Sequence, residues 1–394
     1  MAERLAAEVR LHGRHVGLLR CARGGSTFVY EDDPMAPDHL TLGQIFKDDP
    51  RAVRRVRVGV PAWFANLLPE GMPRQQVLRE IGGTNVHEFT LLRRLGADLP
   101  GAVTIHAESE PEELEQKPDH PVRASLAGFQ LKYCVRKDQL APLAGGDGSW
   151  WIVKIPDPSL RELAVNEYLT MGWLQAAGMD VPPIQLALAK DVGGIPEGLV
   201  DPAELVYLIE RFDRGKVGRV HVEDFAQVAD VEPKFKYGEF GASYDGLAAV
   251  ILQVVGMSGY EDFVRRLVAM LIVGNTDAHL KNWALIYPDG RTARLAPVYD
   301  FHSLTVYDQY RHTPMALGLN GERMPGHIGL DDLRRLAERC SADPEQTVQA
   351  ALQTVHRLRT AWSGDLRVEA ESRFPALARH FARRLESLPI CVAA

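Results

Sequence analysis

The sequence predicts an α+β protein in which sheet comes first and helix last. Three observations carry that expectation. Apolar and polar residues alternate around Gly13, in AEVRLH and HVGLLRC and then in STFVYED, which is the period of paired strands. Three short strand runs, ASLAGFQLKYCV, WWIVKIP and LVYLIERF, follow in mid-chain, with one amphipathic helix, ELAVNEYLTMGWLQAAG, between the second and third. After Phe212 the strand signal fades, and helical spacing runs through GLAAVILQVVG, YEDFVRRLVAMLIVG, LDDLRRLAERC, EQTVQAALQTVHRLRTAW and PALARHFARRLESL.

Taken in order, these segments divide the chain. From Pro61 helical spacing appears in AWFANLLPEG, RQQVLREIG and HEFTLLRRLGA, where Gly96 reads as a C-cap, so residues 1–106 form a small α+β unit. The acidic, proline-bearing stretch AESEPEELEQKPDHP has no apolar period and reads as a solvated connector over residues 107–120. Residues 121–212 make a sheet crossed by one helix, and residues 213–394 an all-helical lobe.

Composition narrows the class. A chain of 394 residues with 46% hydrophobic residues can bury real cores, and its formal net charge of −7 argues against a protein whose main work is gripping nucleic acid. No stretch has signal-peptide or membrane-helix character, so the expectation is a cytoplasmic protein without membrane association. Cys21, Cys134, Cys340 and Cys391 are far apart, which indicates neither zinc nor disulfides.

The strongest chemical signal is Asn275-Thr276-Asp277-Ala278-His279-Leu280-Lys281-Asn282, followed after a hairpin by Leu295-Ala296-Pro297-Val298-Tyr299-Asp300-Phe301. Phosphoryl transfer needs an oxygen base to orient the attacking hydroxyl, hard oxygen ligands for Mg²⁺, and positive charge on the phosphates. Asp277 fits the first need, and Asn282 with Asp300 the second. A turn after a buried helix, with Asn282 capping the next element, is the plainer alternative. His279 and Lys281 belong to the same loop and are assigned to the nucleotide side of the site.

Positive charge points upstream. Lys154 ends the strand WWIVKIP, where it is either an edge-strand gatekeeper or the phosphate lysine; Glu167 in the next helix either pairs with it or is an ordinary exposed helix acid. At Glu210-Arg211-Phe212-Asp213 the apolar strand turns into charge. The backbone of Glu210 to Phe212 suits adenine and Asp213 suits ribose hydroxyls, although ERFDR is equally readable as a salt-bridge cluster. In Ser125-Leu126-Ala127-Gly128-Phe129-Gln130-Leu131-Lys132, Gly128 would let backbone amides approach a phosphate and Lys132 would add charge, or the segment is a plain turn.

As a set, these residues resemble the HipA family of kinases. FANLLPEG and LLRRLGADLPGAV are similar to that family's first subdomain, and SLAGFQLKY, WIVKIP, NEYLTMGWLQAAGMDVP, ERFDR, KFKYGE, NTDAHLKN, APVYDF and MALGLNGE follow in the family's order. Phe129 and Leu131 are bulkier than the family pattern in the glycine-loop segment. The resemblance implies a protein-kinase-like two-lobed fold with an extra amino-terminal subdomain, ATP and Mg²⁺ as cofactors, and phosphorylation of serine or threonine on a translation component such as an aminoacyl-tRNA synthetase. It implies a toxin of a two-gene module, neutralised by a HipB-like helix-turn-helix antitoxin through which DNA would be contacted. By motif, Asp277 is the catalytic aspartate, Asn282 and Asp300 the metal ligands, Lys154 the phosphate lysine, Glu210 and Phe212 the adenine hinge, and Ser125 an autophosphorylated, inactivating serine. Two other readings stay open: a small-molecule phosphotransferase, and a pseudokinase acting as a co-repressor scaffold.

Overall fold

The computed structural model describes residues 5–108, 132–136, 150–215 and 218–393, except positions 32, 34, 35, 37, 50–52, 82, 84 and 85. Of the expected connector, Ala107 belongs to a strand and residues 109–120 lie outside the described residues, as do Ser125 and Gly128.

The first unit begins as an antiparallel meander of β1 (Leu5–Leu11), β2 (Arg14–Ala22) and β3 (Gly25–Tyr30). Its two hairpin turns, His12-Gly13 and Arg23-Gly24, place both central residues at positive φ, the geometry that matches the twist of paired strands. Short edge strands β4 (Arg54–Val56) and β5 (Val103–Ala107) complete the sheet in the order β4-β3-β2-β1-β5. The helices are α1 (Gln44–Asp48), α2 (Ala62–Ala65), α3 (Gly71–Glu80) and α4 (Glu88–Leu95). Their core is aromatic: Phe28 meets Phe46 and Phe64 edge-on at 5.4 and 4.7 Å, and Trp63 is fully buried. The helical spacing of AWFANLLPEG is realised only over α2; the chain then turns through Asn66 and Leu67, and Pro69 stands where a continuing helix would lose a backbone donor.

The second sheet is antiparallel, in the order β6-β7-β9-β8, from β6 (Lys132–Arg136), β7 (Trp150–Lys154), β8 (Ile184–Leu188) and β9 (Leu205–Glu210). Alternation along β7 sends Trp151 and Val153 into a core with Tyr133, Val135, Val206 and Leu208. Lys154 pairs in register with Lys132 on one side and Tyr207 on the other. Helix α5 (Leu163–Ala176) crosses this sheet against β8 and β9 and is buried along most of its length.

A small hairpin, β10 (Arg214–Gly215) and β11 (Gly218–Arg219), leads into β12 (His221–Asp224) and α6 (Phe225–Val228). Then follow α7 (Tyr244–Val255), α8 (Met257–Val273), β13 (Ala284–Tyr287), β14 (Arg294–Leu295), α9 (Leu330–Cys340), α10 (Pro344–Trp362), α11 (Asp365–Arg373), α12 (Pro375–Ser387) and α13 (Pro389–Val392). The α+β class stands. The last lobe, expected to be wholly helical, also carries the antiparallel sheet β12-β13-β14, because strand partners 60 residues apart in sequence leave little local signal. No helix among the described residues is long and apolar enough to cross a membrane.

The first unit is built onto this last sheet. Glu223 of β12 is fully buried and accepts from the Gln44 amide at 3.0 Å, the Trp63 indole at 3.3 Å and the Tyr287 hydroxyl.

Candidate active site

The second sheet, the β12–β14 sheet and the first unit enclose a cleft of about 650 Å³, a size that suits a nucleotide. One part of its wall is apolar, with Ile152, Leu163, Ile209, Val222, Ala284 and Tyr299; another part is ionic.

Lys154, at the end of β7, and Glu167, on the buried face of α5, form an ion pair although they lie on different elements. Lys154 also meets Asp300, and the Lys132 ammonium stands 3.5 Å from the same carboxylate. Burial alone would push the Lys154 ammonium down, but Asp300 and Glu167 outweigh it and hold it above the usual lysine range. Burial likewise opposes ionisation of Asp300, yet Lys132 and Lys154 keep its carboxyl well below the ordinary aspartate value. Asp300 sits at φ 62°, a left-handed conformation that strains a non-glycine residue by about 1–3 kcal/mol and persists only where the surroundings enforce it.

The loop carrying Asp277 starts where α8 stops. Gly274 ends that helix at φ 75°, and a Cβ there would meet the Thr305 hydroxyl, so glycine is required twice over. Asn275 then accepts the Asp277 amide at 3.2 Å. Asp277 faces the cleft; burial pushes its carboxyl upward, opposed by His302 and by a hydrogen bond from the Tyr237 hydroxyl. His279 packs edge-on against Tyr237 at 5.1 Å, and burial pushes its imidazole down to about 3, so the ring is neutral at physiological pH. Asn282 closes the loop in a short 3₁₀ turn and lines the cleft with Asp300. Those two side chains offer hard oxygen donors, and with phosphate and water oxygens they fit the octahedral demand of Mg²⁺.

Two further assigned residues, Asp213 and Lys281, line the cleft and are also engaged in buried ion pairs. Asp213, expected to receive ribose hydroxyls, accepts two bonds from Arg211 at 2.9 and 2.8 Å, one from Arg214 at 2.8 Å and the Gly101 amide at 2.9 Å. The salt-bridge alternative for ERFDR therefore describes Asp213, in a buried form that also includes Asp98 of the first unit. Lys281, expected at the nucleotide, is buried with its ammonium on the Asn66 carbonyl at 2.8 Å, the Asn66 side chain at 3.1 Å and Asp224 at 2.8 Å. At the hinge, the Glu210 and Arg211 amides go to Pro183 and Trp150, which leaves the Phe212 amide without a carbonyl acceptor among the described residues.

The cleft also holds residues that sequence reasoning did not assign. Tyr237 and Lys236 come from KFKYGE, and Lys236 pairs with Glu70 at 3.0 Å. His302 stands two residues beyond Asp300, its Nδ1 buried and unpartnered among the described residues. Asn66 and Glu70 lie within FANLLPEG, a stretch that pointed only to a fold.

A family model described as the HipA N-terminal domain matches residues 7–106, and one described as the HipA-like C-terminal domain matches residues 124–362. The chain belongs to the HipA family of kinases. Among HipA-family relatives, "Putative kinase Y4dM" of Sinorhizobium fredii is 36% identical over 380 residues, 91% of each chain. The "Serine/threonine-protein kinase toxin HipA" of Shewanella oneidensis is 24% identical over 315 residues, 68% of each. A solved chain from the complex of Shewanella oneidensis HipA, HipB and operator DNA covers 98% of both chains with a TM-score of 0.69 at 16% identity, so the HipA fold extends over the whole molecule.

Proposed function

We infer that this HipA-family protein transfers the γ-phosphoryl group of ATP, with Mg²⁺, to a serine or threonine hydroxyl of a protein, as the toxin of a two-gene toxin–antitoxin module. The observation that carries this reading is the meeting, in one cleft, of the Lys154–Glu167 pair, Asp300, Asn282 and Asp277, which come from four separate stretches of chain.

In this mechanism Asp277 takes the proton of the acceptor hydroxyl, and its position at the end of a pinned loop orients that hydroxyl. Lys154, held charged by Glu167, faces the α- and β-phosphates, with Lys132 adding charge beside it. The apolar wall and the backbone of Glu210 to Phe212 receive adenine. Asn282 and Asp300 would hold Mg²⁺, which would supply positive charge beside the phosphates. Gly128 completes the phosphate cover, and Ser125 serves as the inactivating self-phosphorylation site.

The solved relative is described with HipB and operator DNA, which supports a HipB-like antitoxin as the partner here, with DNA contacted through it. A net charge of −7 agrees with that indirect contact. The proposed acceptor is a component of the translation machinery in the cytoplasm.

The test is transfer from labelled ATP with Mg²⁺ into a translation extract, comparing the wild type with Asp277→Asn. Label on protein in the wild type, lowered at least a hundredfold in the variant with nucleotide binding kept, supports the reading. Label on a small molecule alone, or none despite nucleotide binding, overturns it.

A further inference from the structure

The geometry points to Asn166 as a positioning residue for the metal-binding loop: its side-chain amide clamps the backbone of Ser303 and so holds Asp300 in the conformation that a divalent cation needs. This rests on the phosphoryl-transfer reading of the same cleft and adds to it a residue of α5 that touches neither nucleotide nor metal.

Asn166 is fully buried in α5, one position before Glu167. Its Nδ2 donates to the Ser303 carbonyl at 2.8 Å while its Oδ1 accepts the Ser303 amide at 2.9 Å. A single amide side chain thereby satisfies both backbone polar groups of one buried residue, as a neighbouring strand would. Its orientation is fixed in turn by the Thr170 hydroxyl, which donates to Oδ1 at 3.2 Å, and by Tyr307, whose hydroxyl lies 3.3 Å from Nδ2 and donates to the Arg161 carbonyl.

The loop it grips is the one that carries strain. Upstream of Asp300, the Val298 amide bonds the Asp180 carbonyl at 2.7 Å; downstream, the Leu304 and Thr305 amides share the Gly274 carbonyl. Between these anchors the Tyr299 hydroxyl donates to the Lys281 carbonyl at 2.8 Å and the Asp300 carboxylate meets Lys154 and Lys132. Among the described residues, however, the Asp300 carbonyl has only a 3.5 Å contact from Asn275, so the Ser303 clamp is the nearest backbone tether downstream of the left-handed residue. Because Asn166 and Glu167 are adjacent on one helix, any displacement of α5 that separates Glu167 from Lys154 also pulls on Ser303. The phosphate lysine and the metal aspartate therefore share one support.

The test measures nucleotide binding. ADP affinity is titrated by calorimetry with and without Mg²⁺ for the wild type, Asn166→Ala and Asn166→Asp, each checked for folding by circular dichroism. Asn166→Asp keeps the side-chain volume and the bond from the Ser303 amide but opposes the Ser303 carbonyl, and it carries the test if the alanine variant does not fold. Losing one or both bonds should lower the Mg²⁺-dependent gain in affinity by on the order of tenfold, with metal-free affinity within about twofold of wild type. A folded variant with an unchanged Mg²⁺-dependent gain overturns the assignment of Asn166 and leaves the phosphoryl-transfer reading standing. No Mg²⁺-dependent gain in the wild type overturns both.

Discussion

Replacing Glu223 by glutamine should shift stability, relative to the parent, in the variant's favour as pH rises from 5 to 8. Glu223 is fully buried between β12 and the first unit, and its three partners, the Gln44 amide, the Trp63 indole and the Tyr287 hydroxyl, are all neutral. Burial pushes its carboxyl up to about 7 from an ordinary value of 4.5, more than these hydrogen bonds pull it down. Between those two values the folded chain holds a proton that the unfolded chain has released, so stability falls as pH rises through this window and levels off above it. At about 1.4 kcal/mol per pH unit, the buried anion costs on the order of 3 kcal/mol at pH 8. Glutamine keeps the shape and has no anion to bury; its NH2 group cannot accept from the Trp63 indole as a carboxyl oxygen does, a cost that is the same at every pH and so cancels in a comparison between two pH values. Guanidinium unfolding of both proteins at pH 5 and pH 8 gives the quantity directly: the stability difference, variant minus parent, should rise by about 3 kcal/mol between the two pH values. An equal difference at both would refute the reasoning, because it would mean that Glu223 is ionised in the folded protein throughout.

Two further outcomes follow from the cleft. Because burial raises the Asp277 carboxyl and transfer requires its anion, activity should fall with decreasing pH through a midpoint above the ordinary aspartate value of 3.8; a pH profile of kcat/KM with that midpoint at or below 3.8 would contradict the assigned setting. Lys281→Met should weaken the fold by about 3 kcal/mol, since it leaves Asp224 without its buried cation, yet metal-free ADP affinity should stay within about twofold; a large loss of ADP binding would restore Lys281 to the nucleotide site.

How much of this could be read in advance depends on where each residue finds its partners. That Asp277, Asn282 and Asp300 meet in one cleft was legible from their spacing along one loop and hairpin. Lys154 and Glu167 were legible because a strand end and the following helix lie 13 residues apart. The pairing of Asp213 with Arg211 and Arg214 was one of the two readings ERFDR offered, but its bond from Gly101, 112 residues away, and that of Lys281 to Asn66, 215 residues away, were not legible, because no local pattern announces such a meeting. His302 offered a signal, a histidine two places after the metal aspartate, that only the cleft gives meaning. Asn66 and Glu70 had none: a turn after a broken helix looks the same whether or not it meets a catalytic loop.

The bond between Asn66 and Lys281 also bears on the order in which the protein is made. The first unit leaves the ribosome early and can fold on its sheet, but the lysine that Asn66 receives is synthesised 215 residues later. At about 5–20 residues per second, that interval is roughly 10–40 s. Throughout it the cleft lacks one wall, so the nascent chain completes its active site only as the last lobe emerges, well after any surface of the first unit has become available to bind.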